Sequence, residues 1–121
     1  MHLIGSLLVC LVALEHIYFL YLEMFAWTSP RTLHAFGISL ERAEDCKELA
    51  ANQGLYNGFL AAGLSWSLFE SSPAVALQLK VFFLGCVIAA ALFGAFTVKR
   101  SLLLIQGMPA MAALGVALLT R

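Results

Sequence analysis

Charge is what this sequence has least of. Seven basic and seven acidic residues among 121 make 12% charged and a net charge of zero, about half the charged share usual in soluble domains. So few charges exclude a solvated globule, and no basic face exists to meet nucleic acid. Cysteine is scarce too. Cys10, Cys46 and Cys86 form no CxxC and no Cys/His ligand spacing, so neither a disulfide nor a metal site is expected. Cys10 and Cys86 sit in apolar runs, where a free thiol acts as a small packing residue. There is no nucleophile motif and no cofactor fingerprint, and hence no cofactor is assigned. Repeats and low-complexity tracts are absent. No Lys or Arg precedes the first apolar run, and Glu15-His16-Ile17-Tyr18 stands where a small-x-small cleavage signal would be. The run is therefore expected to be a retained span, not a cleaved signal peptide.

Hydrophobic residues, by contrast, make up 62%. They fall into four runs, about 3–27, 49–69, 74–98 and 101–119. These predict a single, all-α integral membrane domain of 121 residues, a membrane-spanning four-helix antiparallel bundle. The first run would be ~37 Å long at 1.5 Å per residue, enough to cross a bilayer with tilt. Tyr18, Tyr21 and Trp27 crowd its second half as interfacial aromatics do, and Thr28-Ser29-Pro30 is expected to end it. Residues 31–48 are polar, with Arg31, Arg42 and Lys47 against Glu41, Glu44, Asp45 and Glu48. They predict one short amphipathic helix between spans 1 and 2, capped by Ser39 and starting near Leu40.

The second run sorts by helical angle into two faces. Asn52, Gln53, Tyr56, Asn57 and Leu60 share one, and Gly54, Gly58, Ala61, Ala62 and Ser65 the other. The Gly54/Gly58/Ala62 stripe lets another helix approach closely, including one from a second copy in a homo-oligomer. Ser72-Pro73 reads as N-cap and first helical position of the third run. Lys80 sits shallow enough there to snorkel. In the fourth run Gln106 is polar, and Pro109 frees a carbonyl one turn earlier, so a kink is expected. Five of the seven basic residues lie in the 28–48 loop or at Lys99-Arg100. The positive-inside rule then puts that side in the cytoplasm and both termini outside.

An ionisable group in hydrocarbon costs at least ~2.5 kcal/mol, so Glu15, His16 and Glu23 single themselves out. His16, Glu23 and Trp27 share one helical face within about 40°. Glu23 and His16 either face a bundle interior as proton or ligand groups, or sit at headgroup depth and bond a neighbouring helix. Glu15 lies off that stripe and faces a second helix or pairs with Lys80. Asn52, Gln53, Tyr56 and Asn57 need partners if they are dehydrated. Topology places them on the same membrane side as Glu23 and Trp27. Those six form the expected ligand-binding cluster, with Glu23 and His16 as candidate catalytic groups; a purely structural network is the alternative. Trp66 and Phe69 read as interfacial anchors.

The stripe His16…Glu23-Met24-Phe25-x-Trp27-x-x-Pro30, then Phe36, then Ala51-Asn52-Gln53-Gly54-Leu55-Tyr56-Asn57-Gly58 resembles a widespread family of small bacterial integral membrane proteins. That family is catalogued as a domain of unknown function with four predicted spans. The likeness covers nearly the whole chain, although Glu15 stands outside the pattern. It implies a four-helix protein of the bacterial inner membrane and points at His16, Glu23, Trp27, Asn52, Gln53, Tyr56 and Asn57, without supplying an activity.

Three functions stay open at this point. The first is binding or transport of a small molecule or lipid through the polar cluster. The second is an isomerase-like intramembrane enzyme using Glu23 and His16 as acid and base, which their ~10 Å axial separation disfavours. The third is a non-catalytic subunit of a membrane complex. The lipid bilayer is the expected partner, and nucleic acid is not.

Overall fold

The computed structural model describes all residues from Met1 to Arg121, and every regular element is a helix. In chain order these are α1 (His2–Met24), α2 (Pro30–Phe36), α3 (Leu40–Asp45), α4 (Lys47–Phe69), α5 (Pro73–Thr97) and α6 (Met108–Leu119). A π-helical turn, Leu103–Gly107, precedes α6. The chain divides into two compact units, one made of 1–15 with 60–121 and the other of 16–59.

The first unit is built on small side chains. Val9, Val12, Ala13, Leu64, Leu84, Val87, Ala110 and Ala113 form its buried core. The alanines and glycines among its neighbours let helix backbones come close. Gly63 shows the tolerance: a Cβ there would run into the ring of Phe83. Beyond Leu64 and Leu84, many large apolar residues face outward, among them Leu7, Leu11, Leu14, Phe82, Phe93 and Phe96. Ser67, the one buried polar residue of this unit, donates its hydroxyl to the Leu64 carbonyl at 2.6 Å.

Two helices, α1 and α5, are each long and apolar enough to cross a membrane. Within those helices, 28% of the apolar window of α1 and 17% of that of α5 is buried. The other two of the four expected spans do not meet that measure, for physical reasons. Helix α4 opens with Lys47, Glu48, Asn52 and Gln53, which dilute its apolar character. The fourth run is a shorter apolar stretch, Leu103–Leu119, that contains the π-helical turn. Pro109 has no N–H to give the Ile105 carbonyl. Just ahead of it the Met108 N–H bonds to the Leu103 carbonyl, five residues back. The irregularity expected at Pro109 takes that form.

The second unit corrects the reading of the 25–39 segment. Helix α1 stops at Met24, short of Trp27. The N–H groups of both Phe25 and Ala26 turn to the Tyr21 carbonyl, at 3.0 and 3.1 Å. Pro30 does not terminate α1; it begins α2, with Ser29 as N-cap. A proline at the first helical turn gives up only an N–H that would be orphaned there anyway. Two short helices therefore replace the single one expected. The left-handed Gly37, at φ 64°, ends α2, and the Ile38 N–H reaches back to the Leu33 carbonyl at 3.1 Å. That closure needs φ > 0, which glycine adopts without strain. Ser39 caps α3 as expected, accepting from the Arg42 N–H at 3.2 Å.

Candidate functional site

The site grows out of the close approach of α1 and α4 within the 16–59 unit. A Cβ built on Gly54 would lie 2.6 Å from Met24 Cγ, 3.1 Å from Glu23 Cβ and 3.2 Å from the Leu20 carbonyl oxygen. One on Gly58 would lie 2.7 Å from Leu20 Cδ1. At Gly54 and Gly58, then, the small-residue stripe is used inside the chain, while Ala62 stays exposed. That proximity brings the Glu23 carboxylate to α4. The Asn57 amide donates to Glu23 Oε1 at 2.5 Å, and the two residues are only 7% and 6% exposed.

Asn57 thus belongs with the glycines, not with the amide face on which helical angle alone placed it. It lies 60° from Gly54 on the wheel, and α4 buries the stripe Ala50, Gly54, Asn57. Asn52, Gln53 and Tyr56 remain exposed, and Tyr56 packs against Phe59 at 6.0 Å between ring centroids. The structure therefore brings Glu23 and Asn57 together and leaves the other three side chains of α4 facing outward.

Trp27 closes the end of the unit. Its indole N–H donates to the Ala43 carbonyl at 2.9 Å, and its ring meets Phe36 edge-on at 5.0 Å. One side chain so ties α2 and α3 to the chain leaving α1. Thr32, fully buried, completes the fastening: its hydroxyl donates to the Ala26 carbonyl at 2.6 Å and lies 3.0 Å from Ser29 Oγ. Sequence reading passed over Thr32. The signal available was Ser29-Pro30-x-Thr32, an N-cap whose third residue can bond back.

His16 is fully buried on α1 and stacks edge-on with Phe19 at 5.5 Å. It lies two turns from Glu23. Glu15 makes no ion pair with Lys80; its Oε2 is buried without a hydrogen-bond partner. No group of three or more His, Cys, Asp or Glu side chains gathers as a metal-holding set. Just past the Phe69 end of α4, Glu70 accepts from the Ser72 N–H at 3.0 Å and the Trp66 indole N–H at 3.1 Å. The Ser72 bond first, and the Trp66 bond second, hold its carboxyl below the ordinary value. Ser72 occupies the N-cap of α5 as expected, but its side chain makes no capping bond.

No solved structure matches this chain. An uncharacterized protein, YpaA, of Lactococcus lactis subsp. lactis (strain IL1403) is 37% identical over 116 residues, covering 94% of this chain and 96% of that one. The family model described as Protein of unknown function (DUF1304) matches residues 10–118. The span of that match reaches into both compact units and takes in every residue of the polar cluster. The chain belongs to the DUF1304 family.

Proposed function

We propose that this chain is a four-span membrane protein that binds or transports a small molecule or lipid through the Glu23–Asn57 pair and the amide face beside it. The observation that carries the reading is the buried hydrogen bond from Asn57 to Glu23. A carboxyl group is kept out of water where an apolar pair would pack as well, and only one of its oxygens is engaged by Asn57. Asn52, Gln53 and Tyr56 stand exposed on the same helix within a turn or so of that pair. They lie near its Lys47 end, at interface depth in the four-span reading, where a headgroup or polar solute can reach them. The four spans find support in the outward faces of all four long apolar segments. Leu11, Leu55, Phe93 and Leu104 are 53%, 42%, 72% and 62% exposed, and patches of this kind on every face suit lipid, not water. In this reading residues 28–48 lie in the cytoplasm and both termini outside.

A second reading has an observation of its own. Gly54 packs against Glu23 and Met24, and Glu23 is satisfied by Asn57 within the chain. A closed, self-satisfied pair is what a non-catalytic subunit would carry. Native mass spectrometry of the protein purified from membranes, beside its Glu23→Gln and Asn57→Ala variants, separates the two. A co-purifying small molecule or lipid lost from both variants supports binding. No bound species in the wild type, with unchanged folding in the variants, contradicts it and favours the subunit.

A further inference from the structure

We infer that a groove in the other unit, where the start of α1, the start of α5 and the end of α6 meet, is a phosphate site that takes the headgroup of an anionic phospholipid. The groove has a volume of about 340 Å³, within the range of ligand pockets. Its floor is made of small residues: Gly5, Ala76 and Ala117 are all buried. Around it stand Lys80, Arg121 and His2, and no acidic side chain lines it. Neither Lys80 nor Arg121 has a hydrogen-bonding or ion-pair partner in the chain.

Lys80 and Arg121 both line a cavity that no acidic side chain enters, and an ammonium and a guanidinium are the donors that a phosphate oxygen accepts best, with arginine able to supply two at once. Pro73 opens α5 at the groove and Ser72 leaves that end without a side-chain cap, which adds a favourable dipole to the two full charges. The lipid source follows from what flanks the groove. Leu3, Ile4, Leu7 and Leu119 are 72%, 51%, 60% and 79% exposed on α1 and α6, so acyl chains would have apolar helix faces to lie along. The site is distinct from the Glu23 cluster and independent of its ligand. The lipid source rests on the four-span reading, whereas the phosphate chemistry does not.

The test uses the full chain in two arms. In the first, nanodiscs of phosphatidylcholine are titrated with phosphatidylglycerol, and lipid retained by the protein is counted by native mass spectrometry. In the second, detergent-solubilised protein is melted in sodium phosphate and in sodium chloride of equal ionic strength. Lys80→Gln with Arg121→Gln is compared with Lys99→Gln plus Arg100→Gln, which removes the same charge elsewhere. The expected result is preferential retention of phosphatidylglycerol, about tenfold weaker for each charge removed at Lys80 and Arg121 and unchanged in the Lys99/Arg100 variant. Stabilisation by phosphate with the same residue dependence, but no lipid preference, would assign the site to soluble phosphates and set the lipid source aside. Absence of both effects, or equal losses in the two double variants, would overturn the proposal. Should the glutamine variant fail to fold, Lys80→Arg must keep the lipid preference, and its loss there would count against the site.

Discussion

The two compact units bury opposite kinds of side chain. The 1–15/60–121 unit closes on Val, Ala and Leu, with Ser67 as its single buried polar residue, bonded to its own helix. The 16–59 unit buries His16, Glu23, Thr32 and Asn57 alongside only Leu22, Ala43 and Ala50 among its apolar residues. Small apolar side chains specify how closely helices pack and nothing more. Buried carboxyl, imidazole, hydroxyl and amide groups each demand a partner, so the second unit is held by directed bonds: Asn57 to Glu23, Trp27 to Ala43, Thr32 to Ala26. The difference sets close apolar packing in one unit against directed polar bonding in the other, and substitutions can probe each separately.

The largest stability effect should fall in the apolar unit. Leu84 is fully buried, and Leu84→Ala should cost about 2–5 kcal/mol, read as a fall in the thermal midpoint in detergent. In the polar unit, Asn57→Ala strands a buried carboxyl and should cost about 1–3 kcal/mol. The comparison sharpens in a double-mutant cycle: Glu23→Leu combined with Asn57→Leu should be markedly less destabilised than the sum of the two single changes. Additive losses would mean that the hydrogen bond contributes little.

Gly54→Ala tests the close approach itself. The new methyl group can displace the flexible Met24 side chain but must also press on Glu23 Cβ and the Leu20 carbonyl. Overpacking of this kind costs about 1–3 kcal/mol, and the low end of that range is expected because Met24 can give. The smallest effect is at Glu70. Its lowered pKa means that the bonds to Ser72 and Trp66 stabilise the fold above the ordinary carboxylate value. That stabilisation is lost as pH falls through the lowered folded-state value. Wild type should melt slightly above Glu70→Gln at neutral pH and converge with it in acid. A constant gap across that range would point to a cause other than ionisation.

What the sequence made legible was local. Ser39 before Leu40, Pro73 at a helix start and an irregular turn at Pro109 follow from backbone chemistry that each residue carries with it. The partnership of Glu23 with Asn57 was half legible: both residues stood out as costly in an apolar setting, yet helical angle put Asn57 on the wrong face. Asn57 lies at the border of two faces, and the Gly54 approach, a tertiary event, decides which way it turns. Pro30 both disfavours helix at residue 29 and suits a first helical turn, and the sequence alone does not rank the two effects. Thr32 and the Lys80–Arg121 groove join residues 6 and 41 positions apart, and no spacing rule links them.

Binding and stability can be dissociated directly. Native mass spectrometry of Leu84→Ala beside Glu23→Gln, each made in the Lys80→Gln/Arg121→Gln background so that the groove lipid does not contribute and each extracted at a temperature where it is folded, compares the two units in one readout. The account predicts that Leu84→Ala, though much less stable, keeps the co-purifying species of the wild type, while Glu23→Gln loses it with its fold intact. Retention in Glu23→Gln with loss in Leu84→Ala would place the binding chemistry in the apolar unit and contradict the assignment.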